Sequence, residues 1–440
     1  MGFRDHRGAP LTGADANAVA LYETAVCQFN CYVGDPVATV DSAIAQSPDF
    51  AMAIALKAYL LLSGMERAPG AQAADLLARL HDLKLNDRER RHAAAIACLI
   101  DGAFNRASER LDDILIEDPH DIVALQMGHL LDFYRGDSRN LRDRVARVLA
   151  EWSPQMPGYH ALLGMHAFGL EETGDYARAE ESAHRAIQLN TRDGWAYHAI
   201  AHVMEMMGRY EDGAAFLRGN EAGWAPESFF QVHNWWHLAL FHLEADQTAE
   251  VLKLYDGPIR GGESATVLDM VDASALLWRL KLRGADLGKR WEAIADRWQP
   301  LIEDKLYAFN DCHGVMALLG AGRMAEAERS VSIMTETARK QSDNALMSRD
   351  VGLPLARALL AFEQGKYAAT IDLLRPLRNI AQRFGGSHAQ RDLIDLTLLE
   401  AADRGGETGL VRALANERLA LKPKSPLARR YRERGTKQAA

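Results

Sequence analysis

Two pairs of histidines, His198/His202 and His233/His237, stand four residues apart in segments that read as helices. Positions i and i+4 lie on one helix face, so each pair presents both imidazoles in one direction. Glu205 continues the first stripe at i+7, and Glu244 follows His233 after eleven residues, about three turns. Imidazole titrates near neutral pH, and a neighbouring carboxylate fixes its tautomer and tunes its basicity. General acid–base catalysis is therefore the first chemistry the set suggests. His202 or His237 would act as base, Asp311 or Asp272 would orient it, and Arg391 would hold an anionic group.

Two other chemistries compete. His198, His202, His233 and His237 are the right ligand types for zinc or iron. Ala199 breaks the H-E-x-x-H pattern, however, and His202-x-x-Glu205 runs opposite to the Glu-x-x-His of di-iron helices. No metal or other cofactor is expected on this reading; an ion, if held, would sit on those histidines. Cys312, between Asp311 and His313, could be a nucleophile, but a small buried residue is the simpler reading.

The elements that position these residues are helical. Strand signals are nearly absent, and alanine, leucine, arginine and glutamate dominate segments of about 12–18 residues. Gly-Asp, Gly-Arg, Ser-Pro and Asp-Pro punctuate them. Gly174-Asp175-Tyr176 and Gly208-Arg209-Tyr210 are 34 residues apart, each followed by a helix of small residues. Gly136-Asp137, Gly322-Arg323-Met324 and Gly365-Lys366-Tyr367 repeat the punctuation. This is the period of tetratricopeptide hairpins, in which a small residue lets paired helices approach. The expected fold is an all-α, tetratricopeptide-like superhelix (solenoid) of hairpins with a central concave pocket. Its expected parts are an N-terminal tail (1–13), irregular hairpins (14–152), the superhelix carrying the polar pocket (153–426), continuous with those hairpins, and a basic C-terminal tail (427–440).

Several segments together resemble the tetratricopeptide repeat protein 38 family. They are HAIAHVMEMMGRYEDG (His198–Gly213), NWWHLALFHLE (Asn234–Glu244), DASALLWRL (Asp272–Leu280), NDCHGVMALLGAGR (Asn310–Arg323), GLPLARALLAFEQGKY (Gly352–Tyr367) and GGSHAQRD (Gly385–Asp392). The resemblance runs from about Leu21 to Pro426 and implies an all-helical repeat superhelix. It carries over no established reaction, so function must come from the residues.

In such folds the first helix of each hairpin lines the groove. His198, His202 and Glu205 fall on one such helix, and His233, Asn234, Trp236 and His237 on the next. Asp272 follows in the otherwise apolar MVDASALLW, then Asn310, Asp311 and His313, and last His388, Gln390, Arg391 and Asp392 after the Gly385-Gly386 turn. His160, His166 and His242 fall off the stripes and read as structural. A mixed-charge pocket walled by tryptophan suits a small polar molecule. The competing partner is an extended peptide, although the repeated basic clamp for an acidic peptide tail is missing. If His237 faces a solvent-filled pocket, His237→Ala should cost little stability; if it is a buried hydrogen-bond partner, the cost is several kcal/mol.

Composition narrows the partners. The chain has 440 residues, a formal net charge of −9 and one short basic run, Lys422–Lys437, so no nucleic-acid partner is expected. No apolar run reaches the eighteen residues of a membrane span, and MGFRDHRGAP lacks the apolar stretch of a signal peptide. Cys27, Cys31, Cys98 and Cys312 have no zinc-ribbon spacing. A cytoplasmic protein with reduced thiols is expected, and a homo-oligomer is compatible with the sequence.

Overall fold

The structure, a computed structural model, describes residues 2–437. The chain forms two compact units, Met1–Ile200 with Asn220–Gln231, and Ala201–Gly219 with Val232–Ala440.

The first unit opens on β1 (Phe3–Arg4) and β2 (Pro10–Leu11), which pair antiparallel. Between them the buried Asp5 carboxylate accepts from the Arg7 and Ala9 amides at 3.0 and 2.8 Å. Arg7 donates to Glu23 at 2.9 Å. The expected free tail is thus pinned, because a buried carboxylate must be satisfied. Hairpins then follow: α1 (Ala16–Cys31) with α2 (Pro36–Gln46), α3 (Ala51–Ser63) with α4 (Arg67–His81), and α5 (Asp87–Ile100) with α6 (Phe104–Glu117). α7 (Ile122–Tyr134) pairs with α8 (Ser138–Leu149), and α9 (Tyr159–Glu172) with α10 (Tyr176–Leu189). Pro36 occupies the first turn of α2 with Asp35 as cap, accepting from the Ala38 amide at 2.9 Å.

α11 (Gly194–Met206) passes from the first unit into the second. α8 packs on α9 across residues 152/153. After α12 (Tyr210–Gly219) and the short α13 (Glu221–Trp224), the second unit continues with α14 (Gln231–Glu244), α15 (Thr248–Leu254), α16 (Val267–Leu282) and α17 (Arg290–Trp298). Then come α18 (Ala308–Gly320), α19 (Met324–Thr337), α20 (Asp343–Met347), α21 (Leu353–Glu363), α22 (Tyr367–Leu377), α23 (His388–Arg404), α24 (Thr408–Leu421) and α25 (Pro426–Lys437). α25 packs on α24, so the expected basic tail is a docked helix as far as residue 437. Residues 438–440 of that tail lie outside the described residues.

The glycine punctuation has a backbone cause. Gly208 takes φ 67°, and the Arg209 amide reaches back to the Met204 carbonyl at 2.8 Å. A residue with positive φ followed by this six-to-one bond is the Schellman stop, which glycine adopts without a Cβ penalty. The same turn recurs 34 residues earlier, where the Asp175 amide reaches Leu170 at 2.9 Å. Ala179, Ala183 and Ala186 of α10 are buried against α9, as close helix approach requires. Each unit is an all-α, tetratricopeptide-like array of hairpins. No described helix is long and apolar enough to cross a membrane.

Candidate functional site

The second unit brings three of the four singled-out histidines together. His202 projects from the end of α11, and His233 and His237 from successive turns of α14. The ring centroids of His202 and His237 are 4.4 Å apart, and those of His233 and His237 are 4.9 Å apart. One nitrogen from each lies within 4.8 Å of one nitrogen of the others. A tetrahedral ion bound at 2.0–2.1 Å needs nitrogens about 3.4 Å apart, closer than this 4.8 Å limit.

Two carboxylates hold these rings from behind. His233 Nδ1 lies 2.7 Å from Asp272 Oδ2, and His237 Nδ1 lies 3.1 Å from Glu205 Oε2. An ionised carboxylate only accepts, so each Nδ1 carries the proton and each Nε2 the lone pair. Burial, aided by His233 and Arg279, pushes His237 well below the ordinary imidazole range, so it is neutral. His237 is fully buried, enclosed by His233, Trp236 and His202. The Trp236 ring stacks on His233 at 5.3 Å with a 14° interplanar angle.

Two residues of this neighbourhood escaped the sequence reading. Asp269 lies one turn before Asp272 on α16, and burial, aided by Asp272, raises its carboxyl to about 6. Arg279, two turns after Asp272, is buried, with its guanidinium 5.3 Å from the Trp236 ring centroid. It donates to the carbonyls of Ala389 at 2.7 Å and Gln390 at 3.4 Å, tying α16 to the start of α23. The spacing 269, 272, 279 traces one face of α16, a signal that the apolar run around Asp272 masks.

The remaining expected site residues have other partners. Asp392 makes a two-pronged ion pair with Arg418 of α24, at 2.5 and 3.0 Å, which holds its carboxyl far below the usual range against the cost of burial. Gln390 forms a capping box with Ser387, accepting from the Ser387 amide at 3.0 Å. Arg391 donates to the carbonyls of Gly385 and Gly386 in its own turn. His313 Nδ1 bonds the Phe309 carbonyl at 2.7 Å, and burial lowers it to about 4, so it is unprotonated and a weak base at neutral pH. Cys312 donates to the Gly352 carbonyl at 3.3 Å, and burial holds its thiol up, so it is the small buried residue expected. Asp311 is raised to about 7 by burial and by Asp304. His388 is the first residue of α23 and half-buried, and Asn234 is fully buried on α14. His198 shares the face of α11 one turn before His202; in the first unit it stacks on Phe168 at 5.3 Å and meets Trp195 at 4.7 Å and Phe230 at 5.1 Å.

Hairpins closed by Schellman glycines, with histidines backed by carboxylates on facing helices, define a tetratricopeptide-like helical-repeat protein. No family model matches the chain. It is similar to the human IFIT1 dimer with m7Gppp-AAAA, at 14% identity over 97% of this chain and 96% of that one, with a TM-score of 0.43. The human IFIT1 dimer with PPP-AAAA matches at 14% identity over 98% and 96%, also at 0.43. Naa15/Naa10 bound to HypK-THB matches at 11% identity over 96% of this chain and 68% of that one, at 0.26. At these TM-scores the likeness adds nothing beyond the hairpins themselves. One expectation is nevertheless corrected. The exclusion of nucleic acid rested on net charge alone and is withdrawn. Net charge sums over a whole surface and does not decide what a local patch holds.

Proposed function

We propose that the second unit is a metal-dependent site for a small polar ligand, with His202, His233 and His237 holding a divalent transition metal ion. The observation that carries this reading is the pairing of His233 with Asp272 and of His237 with Glu205 beside a third converging imidazole. Metal-ligating histidines almost always donate their other ring N–H to such a partner. Three imidazole ligands leave a coordination position for water or substrate, as in catalytic rather than structural sites. The two carboxylates also supply negative charge that a divalent ion balances. Such an ion would polarise a bound water or carbonyl of the ligand. The chain's own contribution is orientation: Asp272 and Glu205 fix the tautomers, and Trp236 walls the site beside His233. This moves the weight from imidazole acid–base catalysis to ligation, because a wholly buried neutral His237 serves better as a ligand than as a proton carrier. The segments quoted above support a tetratricopeptide repeat protein 38-like assignment within the same reading.

The test is elemental analysis of untagged protein, followed by stripping with a chelator and reloading with Zn²⁺ alone. One equivalent, lost in a His233→Ala/His237→Ala double variant that still folds, supports the proposal. Wild-type protein that takes up no ion would move the assignment to a peptide-binding scaffold.

A further inference from the structure

A second constellation lies in the first unit, among residues the histidine stripes left aside. His160, near the start of α9, places Nδ1 2.8 Å from Asp193 Oδ2 and Nε2 4.0 Å from Cys31 Sγ. The Asn190 amide nitrogen is 3.2 Å from both Cys31 Sγ and His160 Nε2. Asp193 is fully buried and also accepts from the Ala196 amide at 3.0 Å, so its carboxylate is fixed. With its proton held on Nδ1, His160 turns the lone pair of Nε2 toward the Asn190 amide and the Cys31 thiol. Burial works against protonation of His160, and the hydrogen bond and charge of Asp193 overcome it, so its basicity is raised.

Cys31 is the last residue of α1 and is buried, whereas Cys27, one turn earlier on the same face, is exposed. Interaction with the Cys31 thiol pushes Cys27 down to about 6 against burial, Glu23 and Asp193, while that interaction and burial hold Cys31 up. An accessible thiolate beside a buried thiol that has its own base divides the labour of attack and resolution.

We infer that Cys27, Cys31 and the His160–Asp193 pair form a dithiol centre that exchanges with a small-molecule disulfide. The Cys27 thiolate attacks one sulfur of the disulfide, forming a mixed disulfide and expelling one thiolate. His160 Nε2 takes the Cys31 proton. The Cys31 thiolate then attacks Cys27 Sγ, expelling the second thiolate and leaving a Cys27–Cys31 disulfide. Two electrons pass from the protein dithiol to the substrate disulfide, and two external thiols reverse the reaction. Residues four apart on a helix have Cβ atoms about 5–6 Å apart, beyond the 3.5–4.5 Å of a relaxed disulfide. Closure therefore draws on the last turn of α1, where Tyr32 already leaves the helix at φ 58°. A strained bridge of this kind is readily reduced, which suits exchange rather than a permanent staple.

Oxidised glutathione is the probe, with the full chain followed by alkylation and peptide mass spectrometry. Wild-type protein should form the Cys27–Cys31 disulfide, while Cys98, half-exposed on α5, serves as the internal control. Cys31→Ser should stop at a glutathione adduct on Cys27, with Cys31→Ala repeating the trap should the serine disturb the buried thiol. His160→Gln should form the adduct at the wild-type rate and resolve it about a hundredfold more slowly. The inference is overturned if Cys27 reacts no faster than Cys98 at pH 7, if no Cys27–Cys31 disulfide forms in the wild type, or if His160→Gln resolves at the wild-type rate.

Discussion

His233 Nδ1 and Asp272 Oδ2 lie 2.7 Å apart although 39 residues separate them. α14 contributes the imidazole and α16 the carboxylate, so the pair exists only once both helices are packed in the second unit. It fixes which nitrogen of His233 faces away from Asp272, and with Glu205 doing the same for His237 it sets two ligand directions at once.

Asp272→Asn keeps the shape and removes the charge behind His233. Loss of a backing carboxylate typically costs about 10–100-fold in metal affinity. Competition titration of Zn²⁺ against a chromogenic chelator should show that drop while circular dichroism stays at wild type. Unchanged affinity would mean that Asp272 does not orient a ligand.

Asp392 gives the contrasting case. Removing its partner with Arg418→Ala leaves a carboxylate without its charged donors, which costs about 1.5–3 kcal/mol. Denaturant unfolding should register that loss, and Zn²⁺ uptake should not change. The depressed Asp392 carboxyl also stabilises the fold above about pH 4, and that contribution is lost as pH falls further.

Asp311 has the opposite sign. Its carboxyl is raised from 3.8 to about 7, so the folded state binds a proton more tightly than the unfolded chain. Stability from this group is present at low pH and is lost as pH rises from about 4 to about 7. Asp311→Asn should therefore raise stability by about 1–2 kcal/mol at pH 8, allowing for solvent screening of a half-buried group, and leave it unchanged near pH 4. Thermal unfolding at both pH values checks the sign.

The hairpin packing has its own test. A Cβ added to Gly213 of α12 would lie 2.4 Å from the Phe241 ring of α14. Gly213→Ala should destabilise by about 1–3 kcal/mol despite the better helix propensity of alanine. A neutral or stabilising result would show that α12 and α14 do not approach this closely.

The hairpin array was legible in the sequence because its stops are local. Gly208 and Arg209 carry the Schellman turn within six residues, and the 34-residue period repeats it. The histidine pairs were legible for the same reason, since i and i+4 fix a shared face before any packing occurs. Adjacency between helices was not. Cys31, His160 and Asp193 meet across 129 and 33 residues, and nothing at any one of them announces the others. Asp392 reads as a site residue until Arg418 arrives from α24, and Gln390 until Ser387 shows it to be a cap. Arg279 was hidden because a charge in an apolar helix reveals its role only through what it bridges, here Trp236 and the start of α23.

The most direct measurement is a Co²⁺ titration of untagged, chelator-stripped protein followed by visible absorption. Saturation at one equivalent, with the intense ligand-field bands of a four-coordinate site that His233→Ala and His237→Ala each abolish, is the predicted result. Bands that persist unchanged in both variants, or no site-bound Co²⁺ in the wild type, would contradict the three-histidine centre.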